Sequence, residues 1–256
     1  DGGVGWDLAT VAAQAQELEE MGYSGIMTAE TSHDPFLPLA FAAQETSRVD
    51  LMTGIAVAFA RTPMILANIG HDLNAASNGR FVLGLGSQIR AHITKRFSMP
   101  WSHPAARMRE FILAMRAIWA NWYQGEALEF TGKFYNHTLM TPFFAPTNTE
   151  HGAPRVFLAA VGPLMTEVAG EVADGFHIHP MHSIGYLRDI VCPAINEGAK
   201  MAGKSIQDLD LHASVFAVVG ETEAERNASA AQIRAQIAFY ASTPSYRVLL
   251  RHHGFE

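Results

Sequence analysis

Acid–base side chains follow the first strand that the sequence predicts. Residues 24–29 form a short apolar run, and Glu30 and His33 come directly after it. A carboxylate and an imidazole in one loop are able to give and take protons during catalysis. The alternative is a plain loop in which Asp34 caps the turn at Pro35. We take Glu30 and His33 as candidates for proton handling.

A glycine-rich turn ends the predicted strand that begins at Arg80. Gly86, Ser87 and Gln88 form this turn, and glycine lets backbone approach a ligand closely because it has no side chain. A basic cluster follows, made of Arg90, His92, Lys95 and Arg96. Basic side chains in an acidic protein favour an anionic ligand. The alternative is a solvated basic loop.

A second candidate for anion binding joins a predicted strand to a helix. It consists of Ala159, Ala160, Val161 and Gly162, and Pro163 suits the first turn of the helix. Backbone N–H groups at a helix N-terminus attract phosphates. An ordinary strand–helix turn is the alternative.

Three histidines lie on and after one predicted strand. His177 and His179 alternate along it and therefore face the same side, and His182 follows. Such a pair occurs in metal-dependent hydrolases, which also need further ligands and often a lysine on later strands. All the lysines lie outside the predicted strands, at Lys95, Lys133, Lys200 and Lys204. We prefer a phosphate-side or substrate-side role for His177 and His179, with packing as the alternative.

These candidates lie on a regular alternation of short apolar strands and amphipathic helices. Strands of this kind are buried on both faces, which predicts a parallel sheet. The predicted strands begin at Ser24, Leu51, Arg80, Arg155, Gly175 and Leu209. The predicted helices are Leu8–Met21, Pro38–Thr46, Pro63–Ser77, Pro104–Tyr123, Pro163–Val172, Ile184–Ala202 and Thr222–Tyr240.

The alternation predicts a (β/α)8 barrel that forms one domain over residues 1–256. Six strands are fewer than a closed barrel needs, so we expect the ends to be missing or disordered. An open doubly wound sheet is the alternative. That fold usually has a glycine-rich phosphate turn after its first strand, where this chain has Glu30-Thr-Ser-His-Asp34.

The region between the fourth predicted helix and Arg155 has a different pattern. Leu128 and Phe130 alternate, a turn is predicted at residues 131–133, and Phe134 and Tyr135 follow. This pattern predicts a β-hairpin.

Composition narrows the function classes. The chain has 256 residues, of which 48% are hydrophobic, and a net charge of -7, which argues against a nucleic-acid partner. Its single cysteine, Cys192, is unable to form an internal disulfide, so we expect a cytoplasmic protein. No apolar run approaches the roughly 20 residues that span a bilayer. No signal peptide is visible, although Asp1-Gly-Gly-Val-Gly5 is not a natural start.

Several segments together resemble the luciferase-like monooxygenase superfamily, and within it the branch that uses the deazaflavin coenzyme F420. Each segment alone is a weak match, but their order makes the combination specific. So does the hairpin, which lies between what would be the fourth and fifth strands of a complete barrel. The segments are Leu18-Glu-Glu-Met-Gly-Tyr-Ser-Gly-Ile26, Asn78-Gly-Arg-Phe-Val-Leu-Gly-Leu-Gly86, Arg107-Met-Arg-Glu110, Ala159-Ala-Val-Gly-Pro163 and Ala169-Gly-Glu-Val-Ala-Asp-Gly175.

The resemblance implies an oxidoreductase that moves a hydride between F420 and an organic small molecule. It implies a cofactor at the C-terminal mouth of the barrel, held by Gly86, Ser87, Gln88, Ala159, Ala160, Val161, Gly162, His177 and His179. It also implies a non-proline cis peptide at Ala56–Val57 behind the cofactor ring, and Glu30 and His33 beside the reactive carbon. Ile89 and His92 stand where the family often has Glu and Asn.

Other functions remain open. One is an FMN-dependent monooxygenase that uses reduced flavin and O2 on the same fold. A metal-dependent hydrolase built around His177 and His179 is another, and a barrel that only binds a ligand is a third. Relatives are commonly dimers, so the resemblance implies a homodimer.

Overall fold

Parallel strands form the main sheet of the protein. The computed structural model describes residues 2, 3, 5 and 7–255. The strands are β1 (Gly2–Gly3), β2 (Gly25–Thr28), β3 (Asp50–Thr53), β4 (Ala56–Val57), β5 (Phe81–Gly86), β8 (Arg155–Ala160), β9 (Gly175–Ile178) and β10 (Asp210–Ala213). Their order across the sheet is β1-β2-β3-β5-β8-β9-β10, and β4 pairs with β5.

Helices connect these strands, as the alternating pattern predicted. Most of the predicted helices appear with ends shifted by one to three residues. The helices of the structure are α1 (Val11–Glu20), α2 (Phe36–Glu45), α3 (Pro63–Ala76), α4 (Pro104–Gln124), α5 (Pro163–Val172), α6 (Ile184–Tyr186), α7 (Cys192–Met201), α8 (Glu223–Ala241) and α9 (Arg247–His252).

The sheet confirms the predicted parallel arrangement, but it does not show a closed barrel. The sheet is curled, and no pairing joins β10 to β1 within the described ranges, so full closure stays a prediction. The sequence predicts no strand before the first helix. The structure has one there, because Gly2–Gly3 pairs in parallel with Ile26 and Met27 of β2.

The long predicted helix after β9 is interrupted by a wider turn. A π-helical segment at Leu187–Val191 separates α6 from α7. Pro193 lies just beyond this segment. Proline has no N–H to donate to the preceding turn and its ring crowds the carbonyl four residues earlier, so regular α-helix is disfavoured there.

An antiparallel pair stands between α4 and β8. Its strands are β6 (Phe130–Thr131) and β7 (Asn136–His137), so the chain reverses at residues 132–135, later than predicted. Glu110 of α4 fixes this reversal by accepting hydrogen bonds from the N–H groups of Lys133, Phe134 and Tyr135. The pair therefore packs on the same helix that precedes it in the chain.

The parallel topology brings the candidate side chains to one edge of the sheet. All strands of a parallel sheet present their carboxyl ends on the same side. The register places Ala159 beside His177 and His177 beside His212. None of the helices in the described part of the chain is long and apolar enough to cross a membrane.

Candidate active site

Two adjoining cavities open at the carboxyl ends of the strands. Their volumes are about 360 and 480 Å3, within the range of small-molecule sites. We call the smaller the glycine-turn cavity and the larger the histidine cavity, after their walls. The walls of both include Ile55, Gln88, Ile89, Ala159, His179 and Tyr246.

The glycine-turn cavity is lined by both segments that were predicted to bind a cofactor. These are residues 86–88 after β5 and residues 159–162 at the end of β8. Gly162 has an ordinary φ of -92°, and a Cβ placed on it would meet no heavy atom within 4 Å. A side chain at Gly162 would therefore occupy open space at the cavity wall.

The strand that carries the predicted cis peptide is broken in two. Its only cis bond among the described residues joins Gly54 to Ile55, so the prediction of a cis bond at Ala56–Val57 is wrong. Ala56 and Val57 instead pair with Leu85 and Gly86 as the short strand β4.

The residues at this break replace the predicted pair in the cavity wall. Gly54 and Ile55 line the histidine cavity, whereas Ala56 and Val57 are fully buried and line neither cavity. A Cβ on Gly54 would lie 2.0 Å from the sulfur of Met27, so a side chain at this position would have to displace the Met27 side chain.

Glu30 lies in the wall of the histidine cavity, but its carboxylate has partners. One oxygen accepts hydrogen bonds of 2.7 Å from the Val57 N–H and of 2.7 Å from the Arg61 guanidinium. The side chain is only 6% exposed. Glu30 therefore ties the loop after β2 to β4 and to Arg61 beyond it.

His33 does not join Glu30 in the wall. It is exposed and lies outside the lining of both cavities. The neighbouring Asp34 accepts hydrogen bonds from the N–H groups of Phe36 and Leu37, at 2.8 and 3.2 Å. The helix-capping alternative for Asp34 is thus the one that the structure shows.

His177 is packed into the sheet. Its Nδ1 lies 3.1 Å from Nδ1 of His212 on the neighbouring strand. Gly84 makes room for the ring, since a Cβ there would lie 2.4 Å from His177 Nε2. Burial, with a smaller contribution from His212, lowers the pKa of His177 to about 4. His177 is therefore neutral at physiological pH, in the wall of the histidine cavity.

His179 forms a hydrogen-bonded pair with Tyr246. Its Nδ1 accepts from the Met181 N–H at 3.2 Å, and its Nε2 lies 3.1 Å from the Tyr246 hydroxyl oxygen. Burial lowers the pKa of His179 to about 4. A neutral ring that accepts at Nδ1 carries its proton on Nε2. His179 therefore donates to Tyr246, and both side chains face the two cavities.

The three histidines do not converge on one point. His177 pairs with His212 and His179 with Tyr246, while the His182 ring packs 5.3 Å from that of Tyr186. Within the part of the chain that the structure describes, no three His, Cys, Asp or Glu side chains are grouped to hold a metal ion. The geometry thus gives no support to the hydrolase alternative.

The basic cluster after Gln88 divides between cavity and solvent. His92 and Arg96 belong to a π-helical turn and line the histidine cavity, whereas Arg90 and Lys95 are exposed outside it. Arg96 also hydrogen-bonds the Thr31 carbonyl. One permanent cation of the predicted cluster therefore stands at the mouth.

Sequence reasoning missed several residues of the walls. Tyr246 follows the helix α8 and lines both cavities. Tyr240 and Phe239 complete the histidine cavity from the same helix. Pro244 lies between the end of α8 and Tyr246, which predicts a turn. A proline does not reveal, however, which strand that turn approaches.

Comparison with known proteins identifies the family of this chain. The family described as luciferase-like monooxygenase matches residues 2–256, so the chain belongs to that family. The resemblance read from the sequence is thereby confirmed, and the family supports an enzyme of the flavin- or F420-dependent oxidoreductase type.

Individual relatives cover most of the chain. It is 52% identical over 255 residues to an uncharacterized protein of Mycobacterium tuberculosis, covering 100% of this chain and 75% of that protein. It is 28% identical over 248 residues to the 5,10-methylenetetrahydromethanopterin reductase of Methanolobus tindarius, covering 94% and 70%.

A solved structure shares the fold. The coenzyme F420-dependent tetrahydromethanopterin reductase of Methanopyrus kandleri superimposes with a TM-score of 0.80 at 22% identity. The match covers 100% of this chain and 76% of that one.

Proposed function

We propose that the protein is an oxidoreductase that transfers a hydride between coenzyme F420 and an organic small molecule. The observation that carries the proposal is the pair of adjoining cavities at the carboxyl ends of the strands. A two-substrate reaction needs room for a cofactor and a reactant in contact. The named reductases among the relatives support a deazaflavin as the cofactor.

The residues of the glycine-turn cavity fit such a cofactor. Gly86, Ser87 and Gln88 approach it with backbone and small side chains, and residues 159–162 lead into the N-terminus of α5. The open space at Gly162 leaves room for a phosphate near the N–H groups of that helix. When bound, the deazaflavin would supply or accept the hydride.

The residues of the histidine cavity would receive the reactant. Neutral His177 and His179 would face it without adding charge, and Glu30 would hold the wall through Val57 and Arg61. The proposed proton-handling role of Glu30 and His33 stays a prediction. Glu30 lines the histidine cavity, which supports a role for it, whereas His33 is exposed and outside both walls.

Fluorescence titration with F420 and with FMN, each at low and high salt, tests the cofactor. We expect F420 to bind more tightly, and its affinity to fall with salt because Arg96 is exposed at the mouth. Arg96→Gln should weaken F420 binding by roughly 1.5- to 5-fold. Arg90→Gln, which lies outside the cavity wall, is the matched control and should bind like the wild type.

The same titration separates the alternatives. Tighter binding of FMN, followed by O2 consumption with reduced FMN, would favour the monooxygenase function that the family name describes. Absence of binding by either cofactor would leave a barrel that only binds another ligand. Salt-independent binding of F420 would remove the argument from the basic cluster.

We also propose that the protein is a homodimer, as the family resemblance implies. Light scattering coupled to size-exclusion chromatography measures the mass directly. A mass near the 27.9 kDa of one chain would contradict the proposal.

A further inference from the structure

Tyr246 has a hydroxyl proton that it does not use in any hydrogen bond with the described residues. His179 donates to the hydroxyl oxygen, because the Met181 N–H occupies the other ring nitrogen. Tyr246 therefore accepts in this pair, and its own O–H remains a donor. Burial and the neighbouring Tyr240 raise the pKa of Tyr246 to about 12, so the hydroxyl keeps its proton at physiological pH.

Aromatic packing fixes the position of this donor. The Tyr246 ring centroid lies 4.7 Å from that of His179 and 5.4 Å from that of Tyr240. Tyr240 in turn meets His179 edge-on at 4.7 Å. Two aromatic neighbours and one hydrogen bond leave the Tyr246 side chain little rotational freedom, which preorganises its O–H for a ligand.

The groups around the histidine cavity present little net charge to its interior. His177 and His179 are neutral because burial lowers both pKa values to about 4. The carboxylate of Glu30 is compensated by Arg61 at 2.7 Å. His92 and Arg96 belong to the exposed turn at the rim, where Arg96 is held by the Thr31 carbonyl. A charged group pushed into the interior would lose water without gaining an opposite charge.

We propose that the histidine cavity selects a substrate whose reacting end is a neutral carbonyl or hydroxyl, and that Tyr246 donates a hydrogen bond to that oxygen while His179 positions Tyr246. This proposal deepens the proposed hydride transfer and rests on it, since it names the substrate class for the same site. A substrate with a carboxylate at the reacting end is disfavoured, because Arg96, the one Lys or Arg in this wall among the described residues, is exposed at the mouth and held by the Thr31 carbonyl.

Acetophenone, isotope-labelled at its carbonyl carbon, is a suitable probe because it is neutral and presents a single carbonyl oxygen. Binding to the full chain is followed by the carbonyl resonance in NMR. We expect a downfield shift on binding to the wild type, since a hydrogen bond withdraws electron density from the carbonyl carbon. Tyr246→Phe should lose that shift and bind about 3- to 10-fold more weakly.

Tyr123→Phe is the matched control. Tyr123 also pairs with a histidine, His71, at 2.7 Å, and burial raises its pKa to about 12, but it lies outside both cavities. This variant should keep the full carbonyl shift. An unchanged shift in Tyr246→Phe, or an equal loss in Tyr123→Phe, would overturn the assignment of Tyr246.

Benzoate tests the charge selection on the wild-type protein, whatever happens to the variants. It has nearly the shape of acetophenone but carries a full negative charge. We expect benzoate to compete at least about 10-fold more weakly, in line with the cost of burying an unpaired charge. Equal competition by benzoate, or no binding of acetophenone to the wild type, would overturn the substrate class. Failure of F420 to bind in the separate titration would overturn hydride transfer and leave these binding results standing.

Discussion

At the scale of single residues, the absence of a side chain at Gly162 is the feature most open to experiment. The position has an ordinary φ and empty space around it, so the fold itself does not require glycine there. Glycine at the other turn has a different cause, because a Cβ on Gly86 would lie 2.9 Å from Ile55. We therefore expect a substitution at Gly162, but not one at Gly86, to weaken ligand binding without lowering the stability of the fold.

Gly162→Val should lower the affinity for F420 by about 10-fold or more while leaving the melting temperature nearly unchanged. The valine side chain would take up open space at the cavity wall, where its Cβ would meet no heavy atom of the protein within 4 Å. Gly3→Val is the control, since Gly3 also has open space but lies in β1, away from both cavities. Calorimetry and fluorescence titration measure the two effects. Equal loss of affinity in both variants would argue against a ligand at Gly162.

Glu30 and His33 are separable by mutation. If Glu30 supplies or accepts the coupled proton, Glu30→Gln should lower turnover by about 100- to 10,000-fold and leave F420 affinity nearly intact. We expect the smaller change for His33→Asn, because His33 is exposed and outside both walls. Steady-state rates and cofactor titration of both variants give the answer. Loss of F420 binding in Glu30→Gln would instead indicate that the Arg61 ion pair only shapes the wall.

At the scale of secondary-structure elements, Asp174 joins the three elements that position the turn at residues 159–162. One of its oxygens accepts from the Val156 N–H of β8 at 2.8 Å, and the other accepts from Arg116 of α4 at 2.9 Å. Arg116 also donates to the carbonyl of Val172, the last residue of α5. The carboxylate thus fixes the sheet relative to both helices.

Asp174→Ala should lower the free energy of unfolding by about 1–3 kcal/mol, because the buried Val156 N–H would lose its acceptor. Asp189→Ala is the matched control. Asp189 pairs with Arg188 on the surface, and loss of such an exposed, solvent-screened pair should change the stability little. Urea denaturation monitored by circular dichroism compares the two. A smaller effect for Asp174→Ala than for Asp189→Ala would contradict this role.

Strand β9 and the turn after it should make stability depend on pH. Burial lowers the pKa values of His177, His179 and His182 from 6.5 to about 4. Between these values the unfolded chain binds protons that the folded chain does not, so the folded state loses stability as pH falls. The contribution is complete above pH 6.5 and is lost progressively down to about pH 4.

Melting temperatures measured between pH 7 and 4 test this dependence, with a steady decrease expected across the window. His177→Gln should decrease less steeply, because it lacks one of the three groups that titrate. A melting temperature that stays constant from pH 6.5 to 4 would contradict burial of the three rings.

At the scale of the whole molecule, cofactor binding should stabilise the entire chain. The cavity walls combine segments from β2 to the turn after α8, so a ligand there holds most of the sheet in its folded arrangement. F420 at about 100 times its Kd should add about 2.7 kcal/mol, which raises the melting temperature of a chain of this size by about 5–10 °C. Scanning calorimetry with F420, with FMN and without cofactor measures the shift. A larger shift with FMN than with F420 would reverse the proposed cofactor preference.

The sequence predicted the frame of this molecule well. Short apolar strands alternating with amphipathic helices leave few arrangements other than a parallel sheet, because strands buried on both faces need helices on either side. That topology gathers Gly86, Ala159 and His179 at one edge, as their positions at strand ends implied. The cis bond lies two residues earlier than predicted, at Gly54–Ile55. Gly54 packs against the Met27 side chain of a different strand, and the sequence does not predict that contact.

The side-chain partners were decided by the tertiary structure. Tyr246 and His179 are separated by 67 positions in sequence, and Glu30 and Arg61 by 31. Hydropathy and spacing record which face of an element is buried, and they carry no information about which distant side chain lies opposite. The sequence by itself therefore determined the fold class and the edge that holds the site. Only packing decided that Glu30 is paired, that His33 is exposed and that Tyr246 keeps a proton to donate, because each depends on contacts between elements far apart in the chain.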